Sequence, residues 1–319
     1  MGARITTETR SLKRKDPLTP MNARWLATLA LLGSVFLWGS SFIALKIAFR
    51  HYDPMVVIFG RMAIASMCFL FFLNKFKDII YRKGDFKYLL FMAFCEPCLY
   101  FIFEAKAIEN TTAAQAGIIT ATLPLLVAVA AGLLLNEKIT RHTLAGGVLA
   151  LAGACWLSVG GTPSPDAPNP ALGNFFEFIA MVCATGYIIT LKHLTNRYSA
   201  LFLTAVQAFV GAIFYLPFLF LPHTTLPTYL APASAIAIVY LGAFITIGAY
   251  GLYNYANSRI PASQAVVFIN LIPVVSVALG WIVLGETFTG SQYAASILVF
   301  AGVYVSQERE PRKTAESTG

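Results

Sequence analysis

Four charged side chains stand out inside the long apolar runs of the first half of this chain: Lys46, Arg61, Glu96 and Glu104. A charge in hydrocarbon is costly, so such residues face a protein interior or a wet cavity and mark ion, proton or substrate sites. Lys46, Arg61 and Glu104 fall at similar depth, which leaves two readings open: a structural ion pair or a coupling site. Lys46 can also snorkel outward on its long stem. Glu96 lies about 12 Å deeper than Glu104 at helical rise. Beside it, Pro97 interrupts the helical ladder and frees a carbonyl. A carboxyl in that position is suited to binding and releasing a proton.

Neutral polar and aromatic groups surround these charges in the sequence. Tyr100 follows Glu96 by one helical turn, while Tyr250, Tyr253 and Asn254 share a later apolar run. Trp38, Ser41 and Tyr187 add an aromatic and hydroxyl lining, Gln115 and Gln264 stand near the starts of two runs, and Asn270 is deeper. Any single Tyr or Trp serves packing or interface anchoring as readily as ligand contact; the cluster carries the reading of a solute site. Pro124 and Pro273 interrupt two further runs and favour bends.

Other chemistries find little support. Cys95-Glu96-Pro97-Cys98 has redox or metal spacing, but no second cysteine pair or intramembrane histidine completes a metal site. His51, His142, His193 and His223 fall at run ends or in loops. No catalytic constellation, cofactor motif or phosphate-binding G-x-x-x-x-G-K-[ST] is present. An intramembrane enzyme and a channel remain as competing classes.

The elements that must position these residues follow from composition. Hydrophobic residues make up 57% of the 319 and charged residues 12%, with mean hydropathy +0.69. Soluble domains carry about twice that charge, so the chain is read as integral to a membrane. Spans of roughly 20 apolar residues are required. Ten are read at about 25–47, 54–74, 88–108, 113–135, 143–160, 174–192, 200–222, 232–255, 262–284 and 291–307. They are helical, because lipid offers no partner to an unpaired backbone.

The net charge of +8 has a positional explanation. Of 23 Lys and Arg residues, 19 fall on the side of the termini, two (Arg50, Lys106) on the other, and two inside spans. That asymmetry predicts cytoplasmic termini and removes the case for nucleic acid as a partner. The tails at 1–24 and 308–319 are read as solvated.

An ungapped internal repeat organises the rest. Ala113-x-Gln115-Ala116, Pro124 and Leu135-x-Glu137-x-x-Thr140 recur 149 residues later as Ala262-x-Gln264-Ala265, Pro273 and Leu284-x-Glu286-x-x-Thr289. Over 113–153 there are 11 identities in 41 positions, several of them polar or proline. Such self-similarity marks duplication, with copies at 25–160 and 172–307. Five spans per copy is odd, so the copies are expected in opposite orientation, an arrangement associated with midplane substrate sites and alternating access. Glu137 and Glu286 are read as a shared structural feature, such as a cap on the next helix. Gly146, Ala150 and Ala154 permit close helix approach, either within the chain or to a partner.

With Trp38-Gly39-Ser40-Ser41-Phe42, Arg61 and the twice-present Ala-x-Gln-Ala, Pro, Leu-x-Glu-x-x-Thr pattern, the sequence resembles the drug/metabolite transporter superfamily, specifically its EamA-type members. The resemblance implies an all-α membrane fold of ten helices in two five-helix inverted repeats. It implies a cavity lined mainly by spans 1, 3, 4, 6, 8 and 9, with spans 5 and 10 peripheral and available for homodimer association. It also implies a secondary transporter for a small metabolite in the cytoplasmic membrane, with lipid and solute as partners. Charges of both signs beside aromatics suit an amino acid or related amphiphile, and export is one expected direction.

Overall fold

The computed structural model describes residues 20–77, 79, 81–135, 141–259 and 268–306. The described elements are helices α1 (Pro20–Phe49), α2 (Pro54–Leu70), α3 (Asp85–Asn110), α4 (Ala113–Leu134), α5 (Arg141–Val159), α6 (Pro170–Leu194), α7 (Ala200–Phe220), α8 (Pro232–Asn257), α9 (Ile272–Leu284) and α10 (Gly290–Ser306). Six of them (α1, α3, α4, α6, α7 and α8) are long and apolar enough to cross a membrane; the other four are shorter apolar helices. The chain is therefore a multi-pass membrane protein. Its exposed Leu, Ile, Val, Phe and Trp side chains on α1, α5, α9 and α10 suit a surface facing lipid rather than water.

Local chemistry accounts for the helix starts. Asp53 accepts a hydrogen bond from the Met55 amide with Pro54 at the first turn, and Asn169 does the same for Leu172 with Pro170. Thr112 and Ser199 cap α4 and α7 through their hydroxyls. Each cap satisfies an amide that has no helical partner, and proline at the first turn gives up only an N–H that would be orphaned anyway.

Pairwise packing is orderly. The main contacts join α5 to α10, α4 to α9, α2 to α7, α1 to α8 and α3 to α6. The α5–α10 contact is very close. A Cβ on Gly302 would stand 2.6 Å from the Gly146 carbonyl oxygen, and one on Gly153 2.7 Å from the Val299 nitrogen. The small residues of α5 thus serve packing within the chain.

Three helices depart from α geometry. α3 opens at Phe94–Leu99, where Glu96 takes extended angles (φ −149°, ψ 115°). Proline excludes its predecessor from the helical region, so Pro97 explains the break. α8 carries a widened turn over Leu241–Ala249, and α9 another at Gly280–Leu284. Pro124 and Pro273, expected to bend their helices midway, instead stand at restarts. Pro124 follows the tight turn Thr120–Thr122, and Pro273 opens α9 after the turn at residues 270–271.

Gly302→Leu is expected to force α10 off α5 and cost about 1–3 kcal/mol, read as a lowered unfolding temperature of the purified protein in detergent.

Candidate functional site

The break in α3 depends on α7. Gln207 Nε2 donates to the Glu96 carbonyl at 3.0 Å, and the Tyr215 hydroxyl donates to the carbonyls of Pro97 (3.1 Å) and Cys98 (2.5 Å). These side chains replace the intrahelical bonds that the break removes, as a membrane interior demands. Neither residue was singled out from sequence, because a lone Gln or Tyr in an apolar run carries no signal until the broken ladder is known.

With the break held, Glu96 is buried and turned toward α8, where the Tyr250 hydroxyl donates to its carboxylate. On the next turns of α3, the Tyr100 hydroxyl donates to Glu104 Oε1 at 3.1 Å. Glu104 Oε2 faces Arg61 Nη1 at 3.5 Å, with both side chains buried. The pair is ionic without a hydrogen bond, since Nη1 has no hydrogen-bond partner among the described residues. Arg61 is otherwise held by Thr246 Oγ1 at 3.4 Å and by the face of Phe101, 3.9 Å from the guanidinium carbon.

These groups meet at one central cavity. Its wall includes Trp38 and Ser41 of α1, Arg61 of α2, Glu96, Tyr100 and Glu104 of α3, Tyr187 of α6, and Tyr250 and Tyr253 of α8. Thr120 and Leu123 of α4 and Ile272 of α9 complete the ring. Trp38 packs against Tyr250 (5.3 Å) and Tyr253 (4.9 Å) between ring centroids. The Tyr253 hydroxyl has no partner among the described residues. The space open to the centre of a water-sized sphere is about 50 Å³. One water needs at least about 10–15 Å³ by that measure, so this conformation admits a few waters and no sizeable solute.

Other residues expected at the site lie elsewhere. Gln115 is buried where α3, α4 and α6 meet; its Oε1 accepts from Asn174 Nδ2 at 3.0 Å and from the Thr111 hydroxyl at 3.4 Å. Asn254 stands behind the wall, accepting from the Tyr187 hydroxyl at 3.0 Å and donating to Thr204 at 2.8 Å. Asn270 lies at the turn before α9, apart from the cavity wall. Lys46 is at the far end of α1, where its ammonium donates to the Asp166 carbonyl, so it takes no part in the Arg61–Glu104 pair. Gln264 and Glu137 lie outside the described residues.

Glu286 corrects another expectation. It does not cap the following helix; Thr289 and Gln292 do that for α10 through reciprocal side-chain bonds. Its carboxylate instead accepts the amides of Ala113 and Ala114, each at 2.8 Å, at the start of α4. A carboxylate at a helix N-terminus is favoured by the helix dipole as well as by the bonds. The repeated motif thus ends in a Glu that secures the beginning of the other copy.

One acidic residue was overlooked. Glu177 lies well inside α6 and is fully buried. The signal was available: a carboxylate three residues inside the span read at 174–192 deserves the same weight as Glu104.

The architecture and the buried charge define a membrane transporter. A family model described as the EamA-like transporter family matches residues 25–159 and again 171–306, and the chain belongs to that family. Among its relatives is the "Uncharacterized transporter YetK" of Bacillus subtilis, 27% identical and covering 88% of this chain and 86% of its own length. A "Probable terminal-alkyne amino-acid exporter" from Streptantibioticus cattleyicolor is 23% identical over 92% of this chain and 97% of its own. A "Probable amino-acid metabolite efflux pump" of Salmonella typhimurium is 26% identical over 87% and 93%. A crystal structure described only as that of a protein shares the fold with TM-score 0.62 at 20% identity, covering 88% of this chain and 97% of that one. The chain is a transporter of small metabolites.

Tyr215→Phe is expected to remove the hydroxyl that donates to the buried Pro97 and Cys98 carbonyls and to destabilise the protein by about 1–3 kcal/mol. Glu286→Ala is expected to cost a similar amount, about 1.5–3 kcal/mol, by uncapping α4. Thermal unfolding in detergent reads both, and an unchanged midpoint for either would contradict its assigned bonds.

Proposed function

We propose that this transporter moves an amino acid or a closely related zwitterion out across the cytoplasmic membrane by alternating access. The observation that carries the reading is the cavity itself. Its wall carries both a guanidinium with an unused N–H, Arg61 beside Glu104, and the separate carboxylate of Glu96, with Trp38, Tyr250 and Tyr253 alongside. A solute carboxylate fits Arg61, whose planar fork matches carboxylate geometry. An ammonium fits Glu96 and the Tyr250 hydroxyl, and the aromatic faces accept an apolar or cationic portion. The names of two relatives, an amino-acid exporter and an amino-acid metabolite efflux pump, favour the same solute class and direction.

The transport mechanism in this reading is an exchange between two inverted five-helix halves, α1–α5 and α6–α10. Its support is the packing pattern. Exchanging the halves maps α2–α7, α4–α9 and α5–α10 onto themselves and turns α1–α8 into α6–α3, which is also present. The non-α turns of α3 and α8 fall at corresponding places under the 149-residue offset. The excess of Lys and Arg on one side supports cytoplasmic termini. The Glu286 contact then lies on the opposite face and helps close it, while the small cavity volume corresponds to an occluded form. Glu96 is the proposed coupling residue: its proton is released when a solute ammonium arrives and regained when the solute leaves.

The test is counterflow and efflux of leucine, phenylalanine and their amides in proteoliposomes, with and without a pH gradient. Wild-type protein is expected to move the free amino acids. Arg61→Lys is expected to slow them by about tenfold or more while affecting the amides less, since the bidentate carboxylate contact is what it loses. Glu96→Gln is expected to flatten the pH dependence. No movement of any of these solutes in either direction would defeat the proposal.

A further inference from the structure

Glu177 has no part in the cavity wall, and neither of its carboxylate oxygens has a hydrogen-bond partner among the described residues. The nearest polar side chain on its own helix, Asn174, is already committed to Gln115 and Thr111. Glu177 lies at the level of Glu104 in the α3–α6 contact: the rings of their neighbours Phe176 and Phe103 stack at 6.3 Å, and one turn on, a Cβ on Gly173 would stand 2.9 Å from the Ala107 carbonyl oxygen. The helices packed most extensively on α6 are α3, α4 and α5, and α8 meets it at Tyr187, bringing Tyr250 and Tyr253. From α3 come Glu104, Tyr100 and, deeper, Glu96. From α4 comes no titratable group, and α5 brings Cys155 and, at its start, Arg141 and His142, all exposed. No cation from these elements faces Glu177.

The charge count at this depth is therefore unbalanced. One guanidinium, Arg61, serves Glu104, Glu96 and Glu177, and it contacts Glu104 alone. A carboxylate that has lost its water and found no donor is far more costly than a neutral acid. Gln or Leu would fill the same space in α6 without that cost, so an acid here calls for a use.

We propose that Glu177 and Glu104 form a proton-binding pair, with Glu177 holding the exchangeable proton and Glu104 passing it to the cavity. On release, a shift of α6 against α3 brings the two carboxyls within hydrogen-bond reach, the proton leaves a Glu177 oxygen for the Glu104 carboxylate, and from Glu104 it passes to water when the cavity opens. Arg61 Nη1, which makes no hydrogen bond, is the donor that compensates the negative charge left behind. The site would let a proton gradient drive solute movement, and it rests in that respect on the transport reading above. It is distinct from Glu96: one acid meets the solute, and the other stores a proton behind the wall.

Infrared pH titration of the purified protein in lipid bilayers tests the site without any solute. Wild-type protein is expected to show a carboxylic-acid C=O band at neutral pH that shifts in D2O. Glu177→Gln should lose one component of that band, Glu96→Gln should lose a different component and keep the Glu177 one, and Glu177→Asp should restore the component lost in Glu177→Gln. An unchanged spectrum for Glu177→Gln would overturn the proposal. In proteoliposomes, an outside-acidic gradient of about one pH unit should sustain up to about tenfold less leucine inside than outside, for one proton per solute exchanged. Glu177→Gln is expected to keep leucine–leucine exchange and lose this gradient-driven movement. Equal loss of both activities would also overturn it, because that pattern belongs to a packing role. If wild-type protein moves no leucine, the transport reading fails while the infrared result still decides the proton site.

Discussion

Most of this structure depends on one constraint: in hydrocarbon, a backbone group that loses its partner must find another inside the protein. The bend at Glu96 and Pro97 is the place where the constraint bites. The helix gives up its own bonds there so that a carboxylate can be aimed across the bundle, and α7 supplies Gln207 and Tyr215 to take the released carbonyls. The aim of Glu96 toward Tyr250, and with it the shape of the cavity, follows from those two side chains on a helix that does not carry the cavity's charges. α7 is therefore a supporting element whose side chains hold the break in α3 and with it the cavity wall.

Electrostatics imposes the second constraint. Three acids and one guanidinium share the interior, and only one ion pair forms. A buried pair of this kind contributes little net stability, because its desolvation offsets its attraction. Packing such as Leu against Phe would hold the helices together as well. The buried charges of Arg61, Glu104, Glu96 and Glu177 therefore add little to folding stability.

Much of the fold was legible in the sequence because the bilayer leaves few alternatives. Apolar run length sets the helices, and each run that was read coincides with an apolar helix, apart from the start of the ninth at residues 262–267, which lies outside the described residues. Arg61, Glu96 and Glu104 were legible for the same reason: a charge in an apolar run is conspicuous. What could not be read were cross-helix choices. Gln115 looked like a solute contact but joins Asn174 and Thr111, and Asn254 supports Tyr187 from behind. Both are ordinary polar residues with cross-helix partners, Asn174 and Tyr187, that lie 59 and 67 positions away in sequence, so pattern alone had no access to them. Glu177 was legible and was passed over.

The bond between Glu286 and the start of α4 has a consequence for how such a chain assembles. The cap for one half's helix is encoded in the other half, so during synthesis α4 emerges long before the carboxylate that completes it. Until Glu286 arrives, the first half has two bare amides at that helix start. A lone half thus lacks the acceptor that, in the whole chain, comes from the same motif in the second copy. Duplication in one chain guarantees that copy at fixed stoichiometry, which ties the two halves into a single unit of folding and of inheritance.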